Sequence, residues 1–169
     1  DLVFVYDVPE GVEASDGQRP LSPTLYFARL AQRLISALTT ATAAGTLYDV
    51  DMRLRPTGNK GPVAVSLKSF ADYHASESWT WEHMALTRGR LVAGAPALQA
   101  RVEAEIRRRL TQARDPHLII ADAREMRARM AETFPGRNVW DLKYAPGGLV
   151  DIEFLAQTFQ LVHAPKRPA

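Results

Sequence analysis

Apolar and charged residues alternate strictly along residues 47–55, and a period of two predicts a β-strand with one buried face. The face turned to the core would carry Tyr48, Val50, Met52 and Leu54. The opposite face would carry two carboxylates and two guanidiniums, from Asp49, Asp51, Arg53 and Arg55. The β-branched and aromatic run at residues 2–6 predicts a buried strand, and residues 63–67 predict another short one. We expect strands 2–6 and 47–55 to be neighbours in one sheet.

Helical spacing of apolar residues dominates the remaining chain. Ser22 and Pro23 form a helix start, and the pattern after them predicts a helix to residue 44, with Gly45 just past its end. Beyond residue 67 the same spacing predicts helices at 69–75, 76–92, 96–113, 116–134 and after Gly147-Gly148. The apolar stripe of the 96–113 helix consists of Leu98, Val102, Ile106 and Leu110. The arginines at 107–109 are expected on a solvated face.

These patterns predict an α+β chain in two parts. Residues 1–67 would form a small α/β domain, and residues 68–169 would form a bundle of packed helices. The 169 residues are 46% hydrophobic and 24% charged, which is typical of a globular protein.

Charge and cysteine content exclude several classes of protein. The 21 basic and 19 acidic residues give a net charge of only +2 without a basic stripe, so nucleic acid is not an expected partner. The absence of cysteine excludes disulfides and thiolate metal sites and fits a cytoplasmic protein. No stretch approaches the roughly 18 consecutive apolar residues of a membrane span, so no membrane partner is expected.

The charged face of residues 47–55 is suited to a site that handles a metal and a phosphate. Carboxylates bind hard cations such as Mg²⁺, and guanidiniums bind phosphoryl oxygens. Asp1, at the start of the first predicted strand, would lie beside Asp51 if the two strands are adjacent. Two or three carboxylates on neighbouring strands can hold Mg²⁺ ions for phosphoryl transfer. A cross-strand ladder of salt bridges is the simpler alternative, and the spacing alone leaves it open.

Other common chemistries lack their motifs. The histidines at 74, 83, 117 and 163 have no zinc-ligand spacing. Neither a glycine-rich phosphate loop nor a nucleophile elbow is present in the sequence.

The chain resembles the glutamine-synthetase adenylyltransferase family in three segments: YDVDMRLRPTG at 48–58, WTWEHMALTRGR at 79–90 and DLKYAPGGLVDIEF at 141–154. The segments follow the family's order and cover nearly the whole chain. Family members are bifunctional bacterial enzymes that add AMP to a tyrosine of glutamine synthetase and remove it again. The resemblance implies a polymerase-β-like nucleotidyltransferase domain, truncated here, followed by a helical bundle. Residues 79–83 are more similar to the C-terminal, adenylylating half.

The resemblance also implies site residues. Asp1 matches the second aspartate of the family's Asp-x-Asp pair and Asp51 matches the third carboxylate, so both would be catalytic and bind Mg²⁺. Arg53 and Arg55 match a block near the phosphates of ATP. Asp51 would also help to deprotonate the tyrosine. The Gly-Ser turn and first aspartate of the family do not precede Asp1, so we expect a fragment that is inactive alone.

The partner that the resemblance implies is glutamine synthetase, with ATP and Mg²⁺ as cofactors. Two alternatives stay open: the deadenylylating half of the same family, and a non-catalytic helical module that docks glutamine synthetase or a PII-type signal protein. Asp151 and Glu153 belong to a block that closes toward the active site in the family. Capping of the last helix is the simpler account of these two acids.

Overall fold

The computed structural model describes residues 1–136, 138 and 140–166. These residues form helices and short strands, in agreement with the α+β class. They divide into two compact units, Asp1–Glu77 with Ala95–Leu98, and Ser78–Gly94 with Gln99–Ala169. The polymerase-β-like fold and the domain boundary after residue 67 stay predictions. In the described part of the chain, no helix has the length and apolar character needed to cross a membrane.

The first unit is built on a two-stranded parallel sheet. Strand β1 (Phe4–Tyr6) pairs with strand β4 (Ala64–Ser66), and Phe4 lies opposite Ala64. Between them come helix α1 (Pro23–Thr39) and a small antiparallel hairpin of β2 (Ala41–Thr42) and β3 (Gly45–Thr46). A 3₁₀ turn (Gly58–Lys60) precedes β4, and helix α2 (Leu67–Ser76) follows it directly. The hydroxyl of Ser66 caps α2 by accepting from the backbone N–H of Ser69 at 3.0 Å.

Helix α1 and the sheet share one small apolar core. Tyr6, Ala31 and Ala64 are its buried members, and the ring of Tyr6 stacks on Phe27 with 4.5 Å between centroids. The Tyr6 hydroxyl lies 3.2 Å from the Thr24 hydroxyl, so its polar end also has a partner. The core therefore fixes the first turns of α1 against β1.

The second unit is helical. It contains α3 (Thr80–Leu86), most of α4 (Pro96–Leu110), α5 (Pro116–Thr133), α6 (Leu149–His163) and a final 3₁₀ turn (Ala164–Lys166). Its core joins α3, α5 and α6 through Met84, Ile119, Ala123 and Leu161. The predicted starts of α4, α5 and α6 are confirmed, with Pro96, Pro116 and the Gly147-Gly148 turn at their beginnings. The sequence predicts a frayed tail from His163, and its last three residues lie outside the described residues.

The strand predicted at residues 47–55 is wrong. The segment has no strand in the structure, and β1 pairs with β4 instead. Leu47 and Tyr48 are 66% and 62% exposed, whereas Arg55 is only 8% exposed, so the expected alternation of burial fails at both ends. The cause is local, because the Asp51 carboxylate binds the backbone N–H of Arg53 and folds the chain into a turn.

Two predicted helices also have the wrong bounds. Helix α1 ends at Thr39 rather than near residue 44, because the β2–β3 hairpin follows at once. Gly45 adopts φ +100° in that hairpin, a conformation that favours glycine. Ser76 ends α2 instead of capping a helix over 76–92, and α3 covers only seven residues.

Several residues expected in a core are exposed, and one expected in solvent is buried. Exposure of 43–51% is found on α1 at Leu25, Tyr26, Leu30 and Leu34. In the predicted stripe of α4 only Val102 is buried. Arg109 is also buried, against the prediction of a solvated face, because its Nε donates to Glu105 at 2.6 Å.

Truncation of Leu161 tests the packing of the helical unit. Leu161 is 1% exposed in the core of the unit, so Leu161→Ala is expected to lower the free energy of unfolding by about 2–5 kcal/mol. Leu155→Ala is the matched control, because Leu155 lies on the same helix but is 59% exposed, and its effect should stay within about 0.5 kcal/mol. Urea denaturation followed by tryptophan fluorescence measures both. Equal effects would show that α6 buries a different face.

Candidate functional site

The candidate site is a loop of consecutive turns over residues 51–61. Asp51 Oδ1 accepts from the backbone N–H of Arg53 at 2.8 Å, and the Arg55 N–H donates to the Met52 carbonyl at 3.4 Å. The N–H of Gly58 then donates to the Arg55 carbonyl at 2.8 Å. Gly61 closes the loop where a side chain cannot fit, since an added Cβ would lie 2.2 Å from the Pro56 carbonyl oxygen. Side-chain and backbone bonds together define the loop.

Asp51 and Arg53 form an ion pair at the start of this loop. Arg53 Nε donates to Asp51 Oδ2 at 2.7 Å, and Arg53 Nη2 donates to the same oxygen at 2.5 Å. These side-chain hydrogen bonds, followed by the bond from the Arg53 backbone N–H, lower the pKa of Asp51. The hydrogen bond to Asp51 in turn raises the pKa of Arg53. The carboxylate is therefore ionised, and its charge is matched by a neighbour two residues away.

Arg55 lies inside the loop. Its Nη1 donates to the Met52 carbonyl at 2.6 Å, and its Nε donates to the Gly61 carbonyl at 3.4 Å. The guanidinium thus ties the first turn of the loop to its last residue. The alternating pattern predicts that Arg53 and Arg55 share one exposed face, but only Arg53 is exposed.

The chain start lies next to Asp51 through its backbone. The N–H of Leu2 donates to the Asp51 carbonyl at 2.9 Å. The structure thus brings the backbone of Leu2 next to that of Asp51 in space, without a strand ladder between the two segments. Asp1 itself is exposed.

The residues of this loop do not fit a bound Mg²⁺ ion as they are arranged. Mg²⁺ requires near-octahedral oxygen ligands, whereas both carboxylate oxygens of Asp51 accept hydrogen bonds from Arg53. Among the described residues, no group of three or more His, Asp or Glu side chains could hold a metal ion. What the loop offers is an exposed guanidinium paired with a carboxylate.

A second set of charged contacts lies in the helical unit and escaped the sequence patterns. Asp151 accepts from the Gly147 N–H at 2.6 Å and forms an ion pair with Arg127 of α5. These contacts, with the Arg127 side chain as the largest cause, lower the pKa of Asp151. Glu153 pairs instead with Arg88 at 3.0 Å. The sequence indicated that the acids could cap α6, but no local spacing indicated Arg127 or Arg88, which are far from them along the chain.

Buried polar groups organise α3 in the same unit. Glu82 is 5% exposed, and its carboxylate accepts from the backbone N–H of Trp79 at 2.8 Å, as in a capping box. His83 is also buried, with its Nε2 3.0 Å from the Ser78 hydroxyl. Both residues therefore shape the start of α3, which agrees with a packing role for the 79–90 segment.

The fold and the loop define a mixed α+β protein with a helical unit and a paired carboxylate and guanidinium at its candidate site. The family model of glutamate-ammonia ligase adenylyltransferase matches residues 1–105. The chain belongs to this family, as the sequence resemblance predicted.

Long bacterial proteins are similar to nearly the whole chain. A bifunctional glutamine synthetase adenylyltransferase/adenylyl-removing enzyme of Rhodopseudomonas palustris (strain TIE-1) is 53% identical over 168 residues, which is 99% of this chain. Proteins of the same name from Bradyrhizobium sp. (strain ORS 278) and Brucella suis biovar 1 are each 51% identical, over 99% and 93% of the chain. The chain spans only 16–17% of the length of these relatives.

Substitution of Arg55 tests its role in closing the loop. Because the guanidinium is buried and bonds two carbonyls, Arg55→Ala should remove both of these hydrogen bonds and destabilise the first unit by about 1–3 kcal/mol. Hydrogen exchange of the amides in β1 and β4 reports on this unit. Arg53→Ala, at the exposed arginine of the same loop, is the control and should leave that exchange nearly unchanged. Similar effects of the two variants would contradict a structural role for Arg55.

The ion pair of Asp151 makes the helical unit sensitive to acid. Because the pKa of Asp151 is lowered in the folded state, its stabilisation is complete above the ordinary value of 3.8 and is lost as the pH falls through the lower native value. Asp151→Asn should therefore lower the free energy of unfolding by about 1–3 kcal/mol at neutral pH and by much less in acid.

Thermal unfolding across this range of pH measures the difference. Glu125→Gln is the control, because its ion pair with Arg129 is exposed on α5 in the same unit. It should have little effect at any pH. A loss for Asp151→Asn that is independent of pH would contradict the charge-based account.

Proposed function

We propose that the protein of which this chain forms part transfers AMP from ATP to a tyrosine of glutamine synthetase, and that the chain belongs to the adenylylating half. The observation that carries the proposal is the 53% identity over 168 residues to an enzyme named as a bifunctional glutamine synthetase adenylyltransferase and adenylyl-removing enzyme. The resemblance of residues 79–83 is what favours the adenylylating half. The match of the family model to residues 1–105 supports it. We propose that this ATP-dependent reaction takes place in the cytoplasm.

The proposed reaction is attack of the tyrosine oxygen on the α-phosphorus of ATP. An oxygen–phosphorus bond forms, the bond to the outer phosphates breaks, and pyrophosphate leaves. Asp51 is proposed to accept the tyrosine proton, which requires its carboxylate to separate from Arg53. The freed Arg53 guanidinium would then bind phosphate oxygens.

Arg55 and Asp1 are the other two residues that the sequence resemblance assigns to the site. The buried contacts of Arg55 with loop carbonyls support a positioning role, in which it holds the turn that presents Arg53. The resemblance implies Mg²⁺ with Asp1 and Asp51 as ligands. Because the described residues do not assemble such a ligand set, we assign the metal no step.

The chain alone is proposed to be inactive. Catalysis of phosphoryl transfer consists almost entirely of positioning and electrostatic stabilisation, and both depend on several charged groups acting together. This chain contributes one paired carboxylate and one exposed guanidinium in its loop. Its relatives are about six times as long, so most of their residues lie outside the segment it represents.

A second candidate is a non-catalytic docking module for glutamine synthetase or a PII-type signal protein. One observation favours it: α6 exposes an apolar stripe in which Ile152, Leu155 and Phe159 are 58%, 59% and 60% exposed. Apolar side chains three and four residues apart lie on one helix face, which is how helices pack against partners. The deadenylylating half of the family is the remaining alternative.

A chimaera tests the proposed reaction. The 168 matched residues of the Rhodopseudomonas palustris enzyme are replaced by this chain, and transfer of labelled AMP from ATP to glutamine synthetase is measured. We expect labelling by the chimaera and none by the 169-residue chain alone. Asp51→Asn in the chimaera should lower the rate by about 10²–10⁴-fold, as for loss of a general base.

Asp49→Asn is the matched control, because it removes an exposed carboxylate two residues away and should leave labelling nearly unchanged. Removal of AMP from pre-labelled glutamine synthetase is measured in parallel. If Asp51→Asn abolishes only removal, the chain belongs to the deadenylylating half. If it affects neither activity, whereas a charged substitution of Leu155 weakens binding of glutamine synthetase, the docking role is favoured.

A further inference from the structure

The Asp51–Arg53 pair places a carboxylate on one of the guanidinium edges that an anion can use. Nε and Nη2 of Arg53 both donate to Asp51 Oδ2, and the backbone N–H of Arg53 holds Oδ1 at 2.8 Å. A phosphate that binds arginine in the bidentate manner uses the same kind of planar edge with two parallel N–H groups. A carboxylate and a phosphate cannot both occupy that edge.

We propose that Asp51 is an internal counter-ion that masks Arg53 and lowers its affinity for polyphosphate anions. The proposal rests on the proposed function only for the class of ligand, a polyphosphate that contacts Arg53. It assigns Asp51 a second role, because a carboxylate that competes with the anion weakens anion binding. A carboxylate that held a metal for the same anion would strengthen it.

The backbone of the loop holds the Asp51 carboxylate beside Arg53. Because Oδ1 is held by the N–H of Arg53, the loop itself keeps the carboxylate at the arginine. In the Asp51→Asn variant the amide oxygen of the new side chain would accept the same bond from the Arg53 backbone N–H. The NH2 group in place of Oδ2 would remove the negative charge and the two bonds from the Arg53 guanidinium. This variant should therefore fold and keep the loop.

The exposure of the pair sets the size of the effect. The side chain of Arg53 is 74% exposed and that of Asp51 is 33% exposed, so water and salt screen their attraction. Exposed ion pairs of this kind change an equilibrium constant by at most about fivefold. A multiply charged anion can displace such a partner, whereas a singly charged anion gains little by doing so. The pair therefore favours polyphosphates over chloride or monovalent esters.

The test is binding of inorganic tripolyphosphate to the 169-residue chain in the presence of EDTA, measured by isothermal titration calorimetry at fixed ionic strength. Asp51→Asn is expected to tighten binding about three- to fivefold. Arg53→Gln should weaken it, and adding Asp51→Asn to Arg53→Gln should bring no gain. Circular dichroism of each variant confirms the fold.

Asp49→Asn controls for net charge, since it removes one carboxylate from the same exposed segment without touching the pair. Its affinity should lie within about twofold of the unmodified chain. Unchanged or weaker binding by Asp51→Asn would overturn the proposal, as would a gain that persists without Arg53 or an equal gain from Asp49→Asn. Absence of binding in every variant would also overturn it.

Addition of Mg²⁺ to the same titrations separates this proposal from the proposed function. If Asp51→Asn weakens binding only when Mg²⁺ is present, the result would support a metal-ligand role for Asp51. The result in EDTA would still decide whether Asp51 lowers the affinity of Arg53 for the anion. Conversely, a chimaera without AMP transfer would refute the proposed reaction and leave the EDTA result unaffected.

Discussion

The parallel pairing of β1 with β4 is the constraint on which the first unit depends. Parallel strands cannot be joined by a tight turn, so the residues between them must run out from the sheet and return. Helix α1 is the longest element of this connection and buries Ala31 against Tyr6 and Ala64. The 51–61 loop lies on the return path, immediately before β4. The candidate site is therefore a part of the connection, and its conformation comes from its own hydrogen bonds rather than from a strand ladder.

Local signals predicted several helix starts well and the loop poorly, for one physical reason. Helix starts depend on the nearest residues, so proline at the first position predicted α1, α4 and α5 correctly. The alternation in residues 47–55 is also a local signal. It failed because the Asp51 side chain accepts a hydrogen bond from the backbone N–H of Arg53. In a β-strand that N–H would be available to donate to a neighbouring strand. Side-chain hydrogen bonds, which the alternating pattern does not show, decided the shape of this segment.

Burial of charge was the other property that patterns could not predict. Arg55 and Arg109 are both buried, yet their partners differ: loop carbonyls accept from Arg55, and Glu105 on the same helix holds Arg109. A buried cation requires such partners, because an unpaired charge loses its hydration without compensation. The contacts of Arg88 and Arg127 with acids of α6 join residues far apart in sequence. A single sequence contains no spacing rule for such pairs, so only the folded chain identifies them.

Partners and burial also distinguish Arg53 from Arg55, which lie two residues apart in the segment that resembles the family. Arg55 is buried and donates to two backbone carbonyls, so moving its guanidinium to a ligand would break both of these bonds and open the loop. Arg53 is largely exposed to water and has one carboxylate partner, so a ligand with more negative charge can replace that partner at small cost. The loop thus combines a fixed arginine that maintains its shape with an exchangeable one at its surface. An anion that binds at the surface of this loop would contact Arg53, and its affinity would depend on how easily the Asp51 carboxylate is displaced from that guanidinium.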